Sequence, residues 1–276
     1  MINQGKLQWG IIGAGFIATE LADGINASET SNLLAVASRD QGKADVFGDK
    51  YSIPRRYEGY QEMLDDPDID AVYVAVPHPL HAEWSIKASE AGKHQLVEKP
   101  LAVNAADAKA MIDHAEKNDV FFMEAFMYRC HPQMETLRKL LADGTIGEVQ
   151  ALRSSFSYGS PYDPSSRAFN NELAGGGILD VGCYPVSAAR LIAGAVRGRA
   201  FLDPLEVKGM ARFNGEGTDS FAAAVLRFED DLVAEVSCGT GLRRMDSATI
   251  EIWGTGGRAR RRPPALSPWS QPRGTG

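Results

Sequence analysis

The sequence is short of cysteine. Cys130, Cys183 and Cys238 are the only three in 276 residues, and no two form a C-x-x-C pair. So sparse and odd a set excludes a disulfide framework and a structural zinc site, and a reducing cytoplasm is the expected location. Excess positive charge is also lacking. Lys and Arg number 29 against 36 Asp and Glu, a net charge of −7, which leaves no electrostatic footprint for nucleic acid or an anionic membrane. No window holds the roughly 18 uninterrupted apolar residues of a bilayer span. The opening Met1-Ile2-Asn3-Gln4-Gly5 lacks the basic-then-apolar layout of a secretory signal. No His/Asp/Glu cluster has metal-ligand spacing, so no metal site is expected.

What is present is alternation. Apolar runs at residues 7–13, 33–38, 71–76, 94–99 and 120–125 are separated by helical patterns such as 104–115, where Asn104 can cap and Ala108, Met111, Ile112 and Ala115 recur at helical spacing. Strands apolar throughout and separated by helices predict a parallel sheet covered on both faces. Near residue 127 the pattern changes. One helix is expected over 131–143 and another over 177–193, among longer strands at 149–158, 205–213, 220–228 and 232–237. The reading is an α/β chain in which residues 1–126 form a doubly wound Rossmann domain that binds a dinucleotide. Residues 127–257 form a substrate and oligomerisation domain with a largely antiparallel open sheet. Residues 258–276, rich in Arg and Pro and without one acidic residue, form an unstructured tail.

Gly13-Ala14-Gly15-Phe16-Ile17-Ala18 fits G-x-G-x-x-A between a buried strand and a helix. Gly13 permits the turn, Gly15 lets the backbone approach a pyrophosphate, Ala18 allows close helix–sheet packing, and the amides of Phe16 and Ile17 open the helix toward the anion. At the end of the second strand, where a carboxylate would bind the ribose hydroxyl of NAD, stand Ser38 and Arg39. A hydroxyl and a guanidinium suit a 2′-phosphate, so NADP is expected, with NAD the alternative. Asp40 is expected to face solvent or cap the next helix.

Glu98-Lys99-Pro100 lies at the end of a parallel strand, where open α/β sheets place ligands. Gly175-Gly176-Gly177 leads into Ile178-Leu179-Asp180-Val181-Gly182-Cys183-Tyr184-Pro185, where Asp180 and Tyr184, four apart, share a helix face and Pro185 should bend the helix. These segments, with Met123–Pro132, resemble the Gfo/Idh/MocA (glucose–fructose oxidoreductase/inositol dehydrogenase) family over residues 7–257, in the branch of D-xylose and dimeric dihydrodiol dehydrogenases. The resemblance implies a catalytic pair, Lys99 and Tyr184, with Asp180 aiding substrate binding. His81, for which a role at a helix N-terminus is equally expected, and Arg129 are further substrate-binding candidates, and Pro77 and Glu98 belong with Lys99 at the cofactor.

The chemistry such a pair must perform is hydride transfer between a nicotinamide and a carbinol, with a group to take or give the hydroxyl proton. A free tyrosine has a pKa near 10, and an ammonium about 4 Å away, worth ~4 kcal/mol at an effective dielectric of 20, would lower it by roughly three units. Either Tyr184 exchanges the proton with Lys99 assisting, or Lys99 does and Tyr184 hydrogen-bonds the substrate. Relatives continue for tens of residues past Gly257, so the second sheet is expected to be truncated, which bears on the homo-oligomer that such a sheet would form. The expected activity is an NADP-dependent dehydrogenase or reductase of an aldose or cyclic diol. The alternatives are a dinucleotide-binding regulator and an inactive pseudoenzyme.

Overall fold

In the computed structural model, residues 5–241 and 247–261 are described, and the chain divides into two compact units between Ala125 and Phe126. The first unit is built on six strands: β1 (Leu7–Ile12), β2 (Ser31–Ser38), β3 (Arg55–Glu58), β4 (Ala71–Val74), β5 (His94–Val97) and β6 (Phe122–Glu124). All pair in parallel, in the order β3-β2-β1-β4-β5-β6. Helices α1 (Phe16–Asn26), α2 (Gln41–Tyr51), α3 (Gln61–Leu64), α4 (His81–Glu90) and α5 (Ala105–Lys117) connect them. Successive side chains of a strand face opposite ways. Ile12, Val72, Val74 and Val97 therefore enter one core with Met111, while Ile11, Val36 and Tyr73 enter the other with Ala18 and Ala22 of α1. Burial on both faces explains the unbroken apolar runs. The strand order reverses between β1 and β4, and ligands of such sheets bind in the crevice outside the strands' carboxyl ends at that point.

The amino-terminal end of the sheet is tied by a buried carboxylate. Asp66, following α3, accepts hydrogen bonds from Arg55 Nη1 at 2.6 and 2.9 Å, Tyr57 Oη at 2.7 Å and the Asp68 N–H at 3.0 Å. Burial pushes the Asp66 carboxyl up, but these donors together hold it below its ordinary value near 3.8. Its contribution to stability is therefore complete above pH 3.8 and is lost as pH falls through the lower folded value. Asp66→Asn is expected to lower unfolding free energy by about 2 kcal/mol, since hydrogen bonds to a charged group are broken in a shielded site. Urea unfolding should show the difference at neutral pH and its disappearance in acid.

The second unit carries β7 (Val149–Ser157), β8 (Glu206–Phe213), β9 (Asp219–Arg227), β10 (Val233–Gly239), β11 (Ser247–Gly254) and β12 (Gly257–Arg261), with α6 (Pro132–Ala142) and α7 (Cys183–Ala195). The order is β12-β11-β7-β10-β9-β8, antiparallel except for the parallel β7–β10 pair. Leu152, Leu226, Ala234, Val236, Ile250 and Ile252 pack against Met134, Leu137 and Leu141 of α6 and Ala188, Ala189 and Ile192 of α7. The segment from Ile178 to Ala195 is long and apolar enough to pass for a membrane span by composition, but more than half of it is buried in this core.

One expectation is corrected here. The start of the Arg/Pro tail is structured: Gly257–Arg261 pairs with β11, Ile250 opposite Arg261 and Trp253 opposite Arg258. Ala259 turns toward the core, and Arg260 Nε meets Glu251 at 2.7 Å on the other face. Backbone pairing supplies what the composition does not. Residues 262–276, the remainder of the expected tail, lie outside the described residues.

Candidate active site

In the first unit, Gly13 follows β1 with φ +102°, and its N–H donates to the Ala37 carbonyl at 2.9 Å. A Cβ there would fall 2.6 Å from the Ala75 oxygen, so glycine is required on both counts. Gly15 differs: a Cβ would meet nothing within 4 Å, which leaves room over its backbone. Helix α1 starts at Phe16 with no capping side chain and no acidic residue in its first turn, and Phe16 itself is exposed. An uncapped helix start above an open glycine fits a pyrophosphate. Ala18, fully buried, seats the helix on the sheet.

Ser38 ends β2, buried, its Oγ accepting the Asp40 N–H at 3.3 Å. Asp40 caps α2 by accepting the Lys43 N–H at 3.2 Å, one of the two placements foreseen for it, so its carboxylate is committed to the helix start. Arg39, exposed between them, lines a cleft of about 460 Å³ with Tyr60, Leu80 and Trp84.

Past β4, Pro77 leads into a single helical turn, His78–Leu80, and α4 then begins at His81. His81 is corrected as a substrate ligand. It is fully buried, its Nδ1 lies 2.9 Å from the Pro100 oxygen and its Nε2 2.9 Å from the Val76 oxygen. Burial pushes its pKa down while the Pro100 and Val76 carbonyls pull it up, and the ring sits between the ends of β4 and β5. Glu98 is also buried. The Tyr73 hydroxyl donates to its Oε1 at 2.5 Å, and the Lys99 N–H donates to its Oε2 at 3.1 Å. Lys99, half-buried, therefore leaves β5 from a fixed tip at the sheet's carboxyl end.

In the second unit, the helix expected over 177–193 is two pieces: a wide π turn, Ile178–Gly182, then α7 from Cys183. Pro185 sits in the first turn of α7, where a missing N–H costs little, so the irregularity precedes the proline. Tyr184, half-buried, is ringed by Phe156 (centroids 5.3 Å apart), Phe126 (5.5 Å) and Tyr128 (6.0 Å), with its hydroxyl 3.3 Å from Met127 Sδ. Asp180, implied as an aid to substrate binding, lies inside the second unit. It is 4% exposed, its Oδ1 accepts both terminal nitrogens of Arg167 at 3.1 Å, and its Oδ2 accepts the Tyr158 hydroxyl. Its carboxylate orients those two side chains. Arg129 stacks on Phe201, guanidinium 4.2 Å from the ring centroid, and borders Phe126 at 6.0 Å.

The π turn starts on a carboxylate that the sequence reading missed. Asp219, at the start of β9, accepts the Ile178 N–H at 2.9 Å. A Cβ on Gly176, where φ is +107°, would collide with Asp219 Oδ1, and one on Gly177 would lie 3.0 Å from Oδ2. Burial raises the Asp219 pKa against the pull of these amides. Gly176→Ala is expected to cost about 1–3 kcal/mol in backbone strain, before the clash with Asp219 is counted. A lower urea midpoint would check it, and an unchanged one would count against this packing. Tyr158, Arg167, Tyr60 and Trp84 were missed as well; only the glycine triplet hinted at a crowded neighbour. Among the described residues no group of three His, Cys, Asp or Glu could hold a metal ion.

A glycine-loop Rossmann unit with a lysine at the tip of β5, and a mixed-sheet unit with a caged tyrosine at a helix head, define the class: an oxidoreductase. The oxidoreductase family with an NAD-binding Rossmann fold matches residues 7–126, and the family's C-terminal domain matches residues 134–260. The chain belongs to the Gfo/Idh/MocA family, as its motifs imply. It is 33% identical to the trans-1,2-dihydrobenzene-1,2-diol dehydrogenase of Mus musculus over 92% of the chain and 74% of that protein. It is 36% identical to D-xylose 1-dehydrogenase (NADP(+)) 2 of Haloferax volcanii, over 83% of the chain and 68% of that enzyme. Among solved structures, the 3-ketoreductase KijD10 of Actinomadura kijaniata, in complex with NADP and TDP-benzene, superposes with a TM-score of 0.81 at 29% identity, covering 92% of this chain and 75% of that one.

Proposed function

We propose that the chain is an NADP-dependent dehydrogenase or reductase of a sugar or cyclic diol, with Tyr184 and Lys99 as its catalytic residues. The relatives named for diol and D-xylose oxidation support the substrate class, and those named for or bound to NADP support the cofactor. The observation that carries the catalytic reading is the setting of Tyr184: one phenol, caged by three aromatic rings, at the head of a helix entered through a π turn. The backbone at Gly13 and Gly15 and the start of α1 hold the pyrophosphate, and Ser38 and Arg39 take the 2′-phosphate. When bound, the nicotinamide supplies hydride acceptance and donation. Tyr184 Oη takes the proton of the carbinol hydroxyl in oxidation and returns it in reduction, and the Lys99 ammonium polarises the same oxygen. Nicotinamide absorbance, followed with NADP and a panel of aldoses and cyclic diols, tests the assignment. Turnover is expected with at least one of them, and binding without turnover would leave a regulator.

The same reading includes self-association in a reducing, cytoplasmic setting. On the face of the second sheet opposite α6 and α7, Met210, Val225 and Val233 are exposed on β8, β9 and β10, and the Arg153–Glu235 and Arg260–Glu251 ion pairs extend the same face across β7, β11 and β12. An apolar patch flanked by paired charges suits a contact between copies. A mass near twice the chain's 29.8 kDa is expected in light scattering, and a monomer at all concentrations would contradict it.

A further inference from the structure

We infer that Tyr158 is a specificity-determining residue: its phenol oxygen accepts a hydrogen bond from a second hydroxyl of the substrate, on the carbon next to the one that reacts. The inference rests on the dehydrogenase reading above and deepens it, from a carbinol to a carbinol with a donating neighbour. The geometry lies wholly in the second unit. Tyr158 directly follows β7, and its N–H donates to the carbonyl of Gly239, the last residue of β10, at 2.9 Å. Side chains alternate along extended backbone, so Tyr158 shares a side with Phe156, whose ring centroid lies 5.3 Å from that of Tyr184. Phe156, Tyr158 and Tyr184 all pack on the same small cluster of Val181, Ala222 and Cys238. Tyr158, half-buried, thus shares its surroundings with the phenol that exchanges the proton.

What the Tyr158 hydroxyl can do there is set by Asp180. A phenol has one proton, and Tyr158 donates it to Asp180 Oδ2. On the other carboxylate oxygen, Oδ1, both terminal nitrogens of Arg167 donate at 3.1 Å. The guanidinium supplies the countercharge that a carboxylate so buried requires, so Asp180 is ionised and only accepts. With its proton directed at that carboxylate, the Tyr158 oxygen serves any further group only as an acceptor. A substrate hydroxyl brings the proton that such an oxygen needs. A hydrogen atom, a fluorine or a carbonyl oxygen does not. Aldoses and vicinal cyclic diols both carry a hydroxyl beside the reacting carbon, and simple alcohols do not.

The test compares the aldose or cyclic diol that is turned over with analogues carrying hydrogen, fluorine or an amino group in place of the hydroxyl on the adjacent carbon. Nicotinamide absorbance gives kcat/KM for each. In wild type the hydrogen and fluorine analogues should lose about ten- to a hundredfold, and the amino analogue, which donates, only about threefold. Tyr158→Phe removes the oxygen and keeps the ring. It should lower kcat/KM of the parent compound about tenfold, mainly through KM, and leave the hydrogen and fluorine analogues within about twofold of wild type. Each ratio of parent to analogue is taken on one protein, so a partial loss of folded enzyme cancels. Should the variant not fold, the wild-type comparisons decide alone. Wild type that accepts the hydrogen analogue as well as the parent overturns the inference. So does wild type that rejects the amino and fluorine analogues alike, or a Tyr158→Phe variant that slows every compound equally. If wild type turns over no member of the panel, the dehydrogenase reading itself has failed, and the inference falls with it.

Discussion

Tyr184→Phe is expected to lower kcat by about 10²- to 10⁴-fold with little change in KM, the signature of a lost proton-transfer group rather than of lost binding. The substitution removes one oxygen, which touches Met127 Sδ at 3.3 Å, and leaves the ring in its cage of Phe126, Tyr128 and Phe156. Structural damage is therefore a poor explanation for so large a loss. Lys99→Met should also be severely impaired, but for a different reason: the substrate oxygen loses its electrophilic partner and Tyr184 keeps its proton. Wild-type turnover in Tyr184→Phe would pass the proton to Lys99 and reduce the tyrosine to a hydrogen-bond partner.

Arg39→Ala is expected to weaken NADP by about ten- to a hundredfold and NAD hardly at all, because a guanidinium that meets the 2′-phosphate has nothing comparable to meet on a ribose hydroxyl. The direction of the preference follows from where the nearby carboxylate goes. Asp40 is spent on the Lys43 N–H at the start of α2, so it is not offered to the ribose. The paired dissociation constants measure this, and a variant that weakens both cofactors equally would assign Arg39 to the fold instead.

How far the sequence could be read depended on whether a residue's partners lay nearby in the chain. β1 and β4 were legible because both faces of a parallel strand are buried, and an unbroken apolar run results. β3 was not: Arg55, Arg56 and Glu58 are charged because it is an edge, and charge at an edge discourages wrong pairing. β12 was hidden by its arginines, and only pairing with β11 reveals it. Gly13, Ser38, Arg39 and Lys99 could be put at strand ends because each lies at or just past a strand that announces itself. His81 was misplaced because its neighbours in space, the carbonyls of Val76 and Pro100, decide its role, and the second lies 19 residues away. Distant partners also surround Asp180, whose carboxylate is held by Arg167 and Tyr158, and Asp219, 41 residues from the amide it caps. Polar groups that satisfy one another across the fold leave no periodic trace in the chain.

The proposed chemistry is hydride exchange between NADP and a hydroxylated small molecule. Single-turnover absorbance of the nicotinamide, recorded for wild type, Tyr184→Phe and Lys99→Met with the same aldose or cyclic diol, tests it most directly. A hydride-transfer phase in wild type that is nearly absent from both variants, while all three bind NADP alike, is the predicted result. Equal phases in all three proteins, or none in wild type with any member of the panel, would contradict it.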